Sequence, residues 1–443
     1  MFRRHYFIEE SRKQWSSEKA FVASMAAAAV GLGNLWRFPY IMGENGGGAF
    51  VIAYLIALLL VVMPIMILEV AAGRLSRGST IETYRQVNRF GVVYGWFVVL
   101  VTTAITSYYL VITGWTLGYA VDAVRGDVRV FSEFSAGFNS LWYFLAVTIL
   151  AGLVLARDIS AIETLSKLLM PALVMVVIFL VHRASQTSGW QQAQDFFFQV
   201  DWTRMLDGKL WGFAFGQAFY TLAIGQGYLV TYGSFIPRKT HVPRACLTVA
   251  GIETSVALLA GWMIFPFVFS FGMQPDQGSA LAFDTLPRVF ENMPGGGLLS
   301  VLFFGLFFAA AFSSSLAGLK VLIAAVAEEF RLRNLTAVVL ITLLMLLLGT
   351  ASALSFTPLE WRIGGAPVLE AIDRLVGGDV IIFSGLVGAA LLCWFIPPQR
   401  IRTVLGTGSR WWEWRIYLVG RYLPVLVLLW VVITFGVSQI GDD

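Results

Sequence analysis

Charge is scarce in this chain: Asp, Glu, Lys and Arg make up 13% of its 443 residues, against about 25% in a soluble globular domain. Cysteine is limited to two residues and histidine to three. Cys246 and Cys393 lie far apart in apolar surroundings and read as buried, inert thiols rather than a disulfide. His5, His182 and His241 are too scattered to build a metal centre. No Walker loop, HExxH or GxSxG occurs, so nothing points to an enzyme. Linker-like and low-complexity stretches are missing as well, which argues for one domain over 1–443.

What the chain has is apolar length. It is 58% hydrophobic, with a mean hydropathy of +0.75. Stretches of about 20 apolar residues, each enough to cross a bilayer as a helix, recur from end to end. We read eleven spans: 17–42, 48–76, 93–124, 140–156, 160–182, 210–235, 243–272, 298–330, 334–354, 367–396 and 413–438. A β-barrel would show short alternating segments instead. The expected fold is an all-α polytopic membrane protein.

Charge placement gives an orientation. Arg3, Arg4, Arg12, Lys13 and Lys19 precede or open the first span and read as a retained cytoplasmic N-terminus. Alternate loops then carry Arg74, Arg77, Arg85 and Arg89, later Arg238, Lys239 and Arg244, and later Arg400, Arg402 and Arg410. Loops on the other side mix signs, as in Arg125 with Asp127. The N-terminus is therefore expected inside, in a cell (inner) membrane, and an odd number of spans puts the C-terminus outside. The net charge of +4 is accounted for by this bias and calls for no nucleic acid. The loop 183–209, rich in Gln, Trp and Phe, is expected to form a folded cap.

Two spans are written against the rules of a membrane helix, where every backbone polar group must be satisfied internally. AVGLGNLWRFPY (29–40) packs Gly31, Gly33, Asn34, Arg37 and Pro39 into the first span. GQAFYTLAIGQGYLVTYGSF (216–235) puts Gly225 and Gly227 in the middle of the sixth. Glycine-interrupted segments at matching positions in two halves mark an inverted-repeat transporter and its binding site.

With ENGGGAF (44–50), LEVAAGR (68–74), SYYLVITGWTLGYA (107–120) and LEAIDRLVGG (369–378), these motifs give a chain that resembles the neurotransmitter:sodium symporters. The likeness is greatest to their bacterial amino-acid members of the leucine-transporter type, and it runs over about 12–397. That family is one of those from which the paired-break rule was drawn. The resemblance implies a 5+5 inverted-repeat fold, with repeats over about 17–182 and 210–397 and an additional helix at 413–438. It implies Na⁺-coupled symport of an amino acid by alternating access.

Carried over residue by residue, the resemblance implies two Na⁺ sites. One takes the carbonyl of Ala29, the side chain of Asn34, the carbonyl and hydroxyl of Thr221, and a residue of the seventh span, here Glu253. The other takes the carbonyls of Ala27, Val30 and Ala310 with the hydroxyls of Ser313 and Ser314. All are oxygens, as a hard cation demands. Glu253 departs from the pattern. It stands where leucine-transporting relatives have Asn, and Ala257 stands where they have Glu, so the carboxylate has moved one turn along the same face. A carboxylate at that depth is expected to supply the negative charge beside the first Na⁺ and make transport chloride-independent.

The resemblance further implies a substrate carboxylate on the amides of Leu32 and Gly33 and the hydroxyl of Tyr109. The ammonium would meet carbonyls of Ala29, Tyr220 and Thr221. Ile105, Tyr109, Tyr220, Ala223, Gln226, Ser314 and Gly318 would line the side-chain pocket. Small residues at 223 and 318 and a polar Gln226 point to a bulky neutral substrate, aromatic or with a polar tip, with small aliphatic amino acids as the alternative. Arg37 and Asp373 would form an outer gate helped by Tyr109. Arg12 and Glu328 would form an inner one over Trp15, where Phe235 replaces the usual Tyr. Glu69 would brace the broken helices or snorkel at the surface. Gly31 and Gly33 are expected to open the backbone. A non-transporting sensor on the same fold is the other functional class.

Overall fold

The computed structural model describes residues 14–127, 129–156, 160–237, 239–276, 281–292, 294–405, 411, 414–423 and 425–426, without the side chains of 160–170. Helix follows helix, as the apolar runs require. The first half comprises α1 (Glu18–Ala29), α2 (Phe38–Glu44), α3 (Gly48–Ser76), α4 (Thr80–Arg85), α5 (Gly91–Arg125), α6 (Asn139–Leu155) and α7 (Ser160–Ala184). The second comprises α8 (Trp190–Phe198), α9 (Gly208–Thr221), α10 (Tyr228–Ser234), α11 (Val242–Ser270), α12 (Leu281–Glu291), α13 (Gly296–Glu329), α14 (Asn334–Leu354), α15 (Val368–Phe395) and α16 (Pro398–Leu405).

Six of these are long and apolar enough to cross a membrane, and α1 with the stretch to Glu44 makes a seventh, bent by 45°. α9 and α10 divide the predicted sixth span between them, and the predicted span 413–438 lies mostly outside the described residues. Local chemistry sets the ends. Ser17 caps α1 by accepting from the Ala20 amide at 3.1 Å, with Glu18 in the first turn where the helix dipole favours it.

Small residues let the helices close on one another, which is how apolar helices associate without a hydrophobic drive. A Cβ on Gly114 of α5 would stand 2.7 Å from the Phe144 amide nitrogen of α6. α5 and α13 run along each other through the centre. Leu59 and Leu60 of α3 and Leu343 and Leu347 of α14 are exposed, as a lipid-facing surface requires. The 183–209 segment does fold: α8 stacks Phe197 on Trp262 of α11 with ring centroids 4.3 Å apart. Cys246 and Cys393 are both free and buried. Asn34, Glu69, Gln217, Thr221 and Glu253 are buried in the interior of this apolar bundle. Buried polar groups must find partners there, and those partners define the site.

Candidate functional site

The first break begins at Val30, whose backbone leaves the helix for an extended conformation (φ −81°, ψ 108°). The helix restarts at Gly31. Leu35 N donates to Gly31 O at 3.1 Å, and the Asn34 side chain reaches back to accept from Gly31 N at 3.3 Å. This is one half of a capping box, the N3 side chain returning to the N-cap amide, since Gly31 has no side chain to complete the other half. Neither Gly31 nor Gly33 has a positive φ. The expectation that they free the backbone is therefore corrected. Gly31 is needed for space, since a Cβ there would lie 2.5 Å from both the Ser314 Oγ and the Tyr109 hydroxyl.

The second break does use backbone freedom. α9 ends with Ile224 N donating to Phe219 O and Ala223 N to Tyr220 O, a Schellman pair. Ala223 holds the left-handed position at φ 53°, where glycine is usual. Gly225 and Gly227 follow at φ 71° and 74°. Glu69 accepts from Gly225 N at 3.0 Å, and Ser384 of α15 donates to Gly225 O at 2.7 Å. Glu69 is thus buried against the break and is not at the surface.

Between the breaks lies a cavity of about 20 Å³. Ala29, Gly33, Ile105, Tyr109, Tyr220, Thr221, Ala223, Gln226 and Ser314 line it, all of them expected, together with Ala28 and Tyr228, which were not. Leu32 contributes its amide, which donates to the Tyr109 hydroxyl at 3.1 Å. Gly318 does not line the cavity. The room beside it is filled by the Tyr228 hydroxyl.

On one side of the cavity, oxygens converge. Ser313 Oγ lies 3.1 Å from Ala27 O and 2.9 Å from Ala310 O, with one proton to share between them. Ser314 Oγ lies 3.2 Å from Ala27 O, 3.4 Å from Val30 O and 3.3 Å from Ala310 O. Three carbonyls and two hydroxyls thus share one small volume. Neighbouring ligands on a hard cation of Ca²⁺ size, bound at about 2.3–2.6 Å, stand apart by a similar distance. On the other side, Glu253 Oε1 and its own carbonyl accept from Asn34 Nδ2 at 2.7 and 2.9 Å. Glu253 Oε2 accepts from the Tyr54 and Thr254 hydroxyls, each at 3.2 Å. Tyr54 was not foreseen.

The Arg37 end is shut. Arg37 Nε lies 3.6 Å from Asp373 Oδ2, with both residues buried. Arg37 donates to Gln217 Oε1 at 2.8 Å and stands over the Tyr220 ring at 4.6 Å. Gln217 in turn donates to Gly33 O at 2.8 Å. The hydroxyl that reaches Asp373 Oδ1, at 2.7 Å, belongs to Tyr108, and a second from Tyr40 reaches Oδ2 at 3.1 Å. The expected part of Tyr109 in this gate is therefore corrected: one residue along a helix turns a side chain by about 100°, and Tyr109 faces the first break. Tyr108→Phe is expected to lower stability by about 1–2 kcal/mol, read by thermal melting.

The Trp15 end is shut by packing. The Trp15 ring lies 5.3 Å from that of Tyr232 and 6.4 Å from that of Phe235. Its backbone N donates to Phe235 O at 3.0 Å and its Nε1 to Tyr232 O at 3.3 Å. Glu328 Oε2 accepts from Ser79 N at 2.8 Å. Arg12 lies outside the described residues, so its expected pairing with Glu328 does too.

The model of the sodium:neurotransmitter symporter family matches residues 12–132 and 132–441. The chain belongs to this family. Within it, the chain is 28% identical to an uncharacterised sodium-dependent transporter of Haemophilus influenzae, over 96% of this chain and 98% of that protein. It is 30% identical to one of Bacillus subtilis, over 95% and 97%. The rat sodium- and chloride-dependent GABA transporter 2 matches at 26% identity over 66% of this chain and 58% of that one. Among solved structures, MhsT in complex with L-phenylalanine superposes with a TM-score of 0.89 at 31% identity, covering 94% of this chain and 99% of that one. The chain is a sodium-dependent symporter-family transporter with the leucine-transporter fold, and its neighbours are transporters, not enzymes.

Seen as a symporter's core, the site shows which residues motif reading passed over. Gln217, Tyr54, Tyr108 and Tyr228 all hold positions in it. Gln217 alone carried a usable signal, as a buried amide in an apolar helix. The tyrosines looked like ordinary packing aromatics until the helices were set against each other.

Proposed function

We propose that this transporter carries a neutral amino acid with a bulky, aromatic side chain, coupled to Na⁺ at two sites, by alternating access and without chloride. The observation that carries the amino-acid reading is the place of the cavity at the paired breaks, where a donor amide and a tyrosine hydroxyl meet walls of Ile105, Tyr109 and Tyr220. At about 20 Å³ it is contracted in this doubly shut form, and a bulky side chain requires those walls to part. The substrate carboxylate takes the place beside the Leu32 and Gly33 amides and the Tyr109 hydroxyl. Its ammonium meets the carbonyls of Ala29, Tyr220 and Thr221.

The five converging oxygens of Ala27, Val30, Ala310, Ser313 and Ser314 hold one Na⁺. Ala29, Asn34, Thr221 and Glu253 hold the other. There Asn34 Oδ1, which accepts from Gly31 N, is the atom that turns to the ion while its Nδ2 keeps hold of Glu253, and the fixed carboxylate makes a chloride ion unnecessary. With the N-terminus inside, Arg37 and Asp373 close the outer path and Trp15 the inner one. Inward movement of each Na⁺ gains about 2.3 kcal/mol per 100 mV of membrane potential. A smaller aliphatic substrate is the second reading, favoured by the Tyr228 side chain in the room beside Gly318.

Thermal melting of the purified chain with each of the twenty amino acids, in NaCl and in KCl, tests the reading. Aromatic amino acids are expected to raise the melting temperature in NaCl alone, since a ligand at 100 times its Kd stabilises by about 2.7 kcal/mol. Finding no amino acid that stabilises more in Na⁺ than in K⁺ would count decisively against symport.

A further inference from the structure

The part of the cavity beside α13 is built differently from what the sequence leads one to expect. Position 318 carries no side chain, yet the space this leaves does not belong to the cavity. A Cβ on Gly318 would run into the Tyr228 hydroxyl, with Tyr228 Cζ at 3.2 Å and Thr106 Oγ1 at 2.7 Å. Tyr228 is the first residue of α10, set by the left-handed Gly227 immediately before it. It lines the cavity and is otherwise buried.

We infer that Tyr228 is the specificity-determining residue of this transporter: its side chain, with the hydroxyl seated in the notch of Gly318, sets the length of side chain the pocket accepts. The inference rests on the amino-acid reading above. It assigns the size limit to α10 instead of α13. A large residue at 318 and a large residue at 228 compete for one volume, so the pocket tolerates one of them at a time. Because Tyr228 stands on the half-helix after the second break, the limit is carried by an element of the break itself. Shortening Tyr228 opens the notch to the substrate, whereas filling position 318 drives the ring into the cavity.

The test uses the full chain, purified in NaCl, with Kd values for alanine, leucine, phenylalanine and tryptophan. Tyr228→Ala is expected to move the tryptophan-to-alanine affinity ratio at least about tenfold towards tryptophan, since one methylene in such a pocket is worth about 10–200-fold. Tyr228→Phe takes only the hydroxyl out of the notch and is expected to move that ratio in the same direction, by less than Tyr228→Ala. Gly318→Ile alone is expected to weaken all four ligands at least about tenfold. Tyr228→Ala combined with Gly318→Ile is expected to bring binding back to within a few-fold of the wild-type chain. Should Gly318→Ile fail to fold, recovery of a cooperative melt in the combined variant is the same rescue. An unchanged ratio in Tyr228→Ala, or a combined variant no better than Gly318→Ile, overturns the inference while leaving the amino-acid reading standing. If the wild-type chain binds none of the four in Na⁺, the amino-acid reading fails and takes the inference with it.

Discussion

Sodium-driven uptake by a Gly31→Ala variant is expected to fall to background, while Gly33→Ala keeps uptake within a few-fold of wild type. The two glycines sit two residues apart in the same break, and neither uses a backbone conformation that alanine would resist. They differ in what surrounds them. A methyl at Gly31 would stand 2.5 Å from Ser314 Oγ and from the Tyr109 hydroxyl, and 3.2 Å from Ser314 Cβ. A methyl at Gly33 would meet Tyr220 Cδ1 at 3.4 Å and Thr221 at 3.6 Å, which is ordinary contact.

Ser314 has nowhere to retreat. Its Oγ is held among Ala27 O, Val30 O and Ala310 O. Overpacking of this kind typically costs about 1–3 kcal/mol. Here the displacement falls on atoms that the proposed mechanism uses for both an ion and the substrate carboxylate, so transport suffers more than folding does. Uptake into proteoliposomes under an imposed Na⁺ gradient measures it. Equal losses in the two variants would show that the break depends on glycine's backbone freedom after all.

Replacing Glu253 by Gln is expected to weaken Na⁺ about 10- to 100-fold, and wild-type uptake is expected to be the same in chloride as in gluconate. The carboxylate touches Asn34, Tyr54 and Thr254 and is fully buried. The substitution keeps shape and most hydrogen-bonding capacity but removes the charge. Interactions of a charged partner of this kind are worth about 1.5–3 kcal/mol, and each 1.4 kcal/mol is a factor of ten in affinity. Na⁺ titration of the substrate-induced melting shift gives the affinity. Unaltered Na⁺ dependence in Glu253→Gln, or wild-type uptake that requires chloride, would remove Glu253 from the ion site.

The sequence made the architecture legible because membrane helices obey few rules. Apolar length gave the spans, and glycines against that background gave both breaks. Residues tied to the breaks by short stretches of chain, such as Asn34, Ala223 and Gln226, could be placed in the same way. Glu253 stood out because a carboxylate at that depth needs a reason. What stayed hidden were choices made by rotation and by packing. Tyr108 and Tyr109 are neighbours in sequence, and only the roll of α5 decides which one meets Asp373 and which one meets Leu32. The use of Gly31 likewise depended on α13 and α5 arriving from far along the chain. Gly318 looked like added room because nothing in the sequence says that Tyr228 turns into it.

The peptide groups at Gly225 are gripped from two directions, the N–H by Glu69 of α3 and the C=O by Ser384 of α15. The far end of α10 is tied as well, with Trp15 donating to Phe235 O and Tyr232 O, and Arg77 to Ser234 O and Ile236 O. Mechanically, Gly225 is a fulcrum. If alternating access tilts α9 or α10, the turn is expected about this doubly held peptide, and opening the Trp15 end also has to break the ties at the far end of α10.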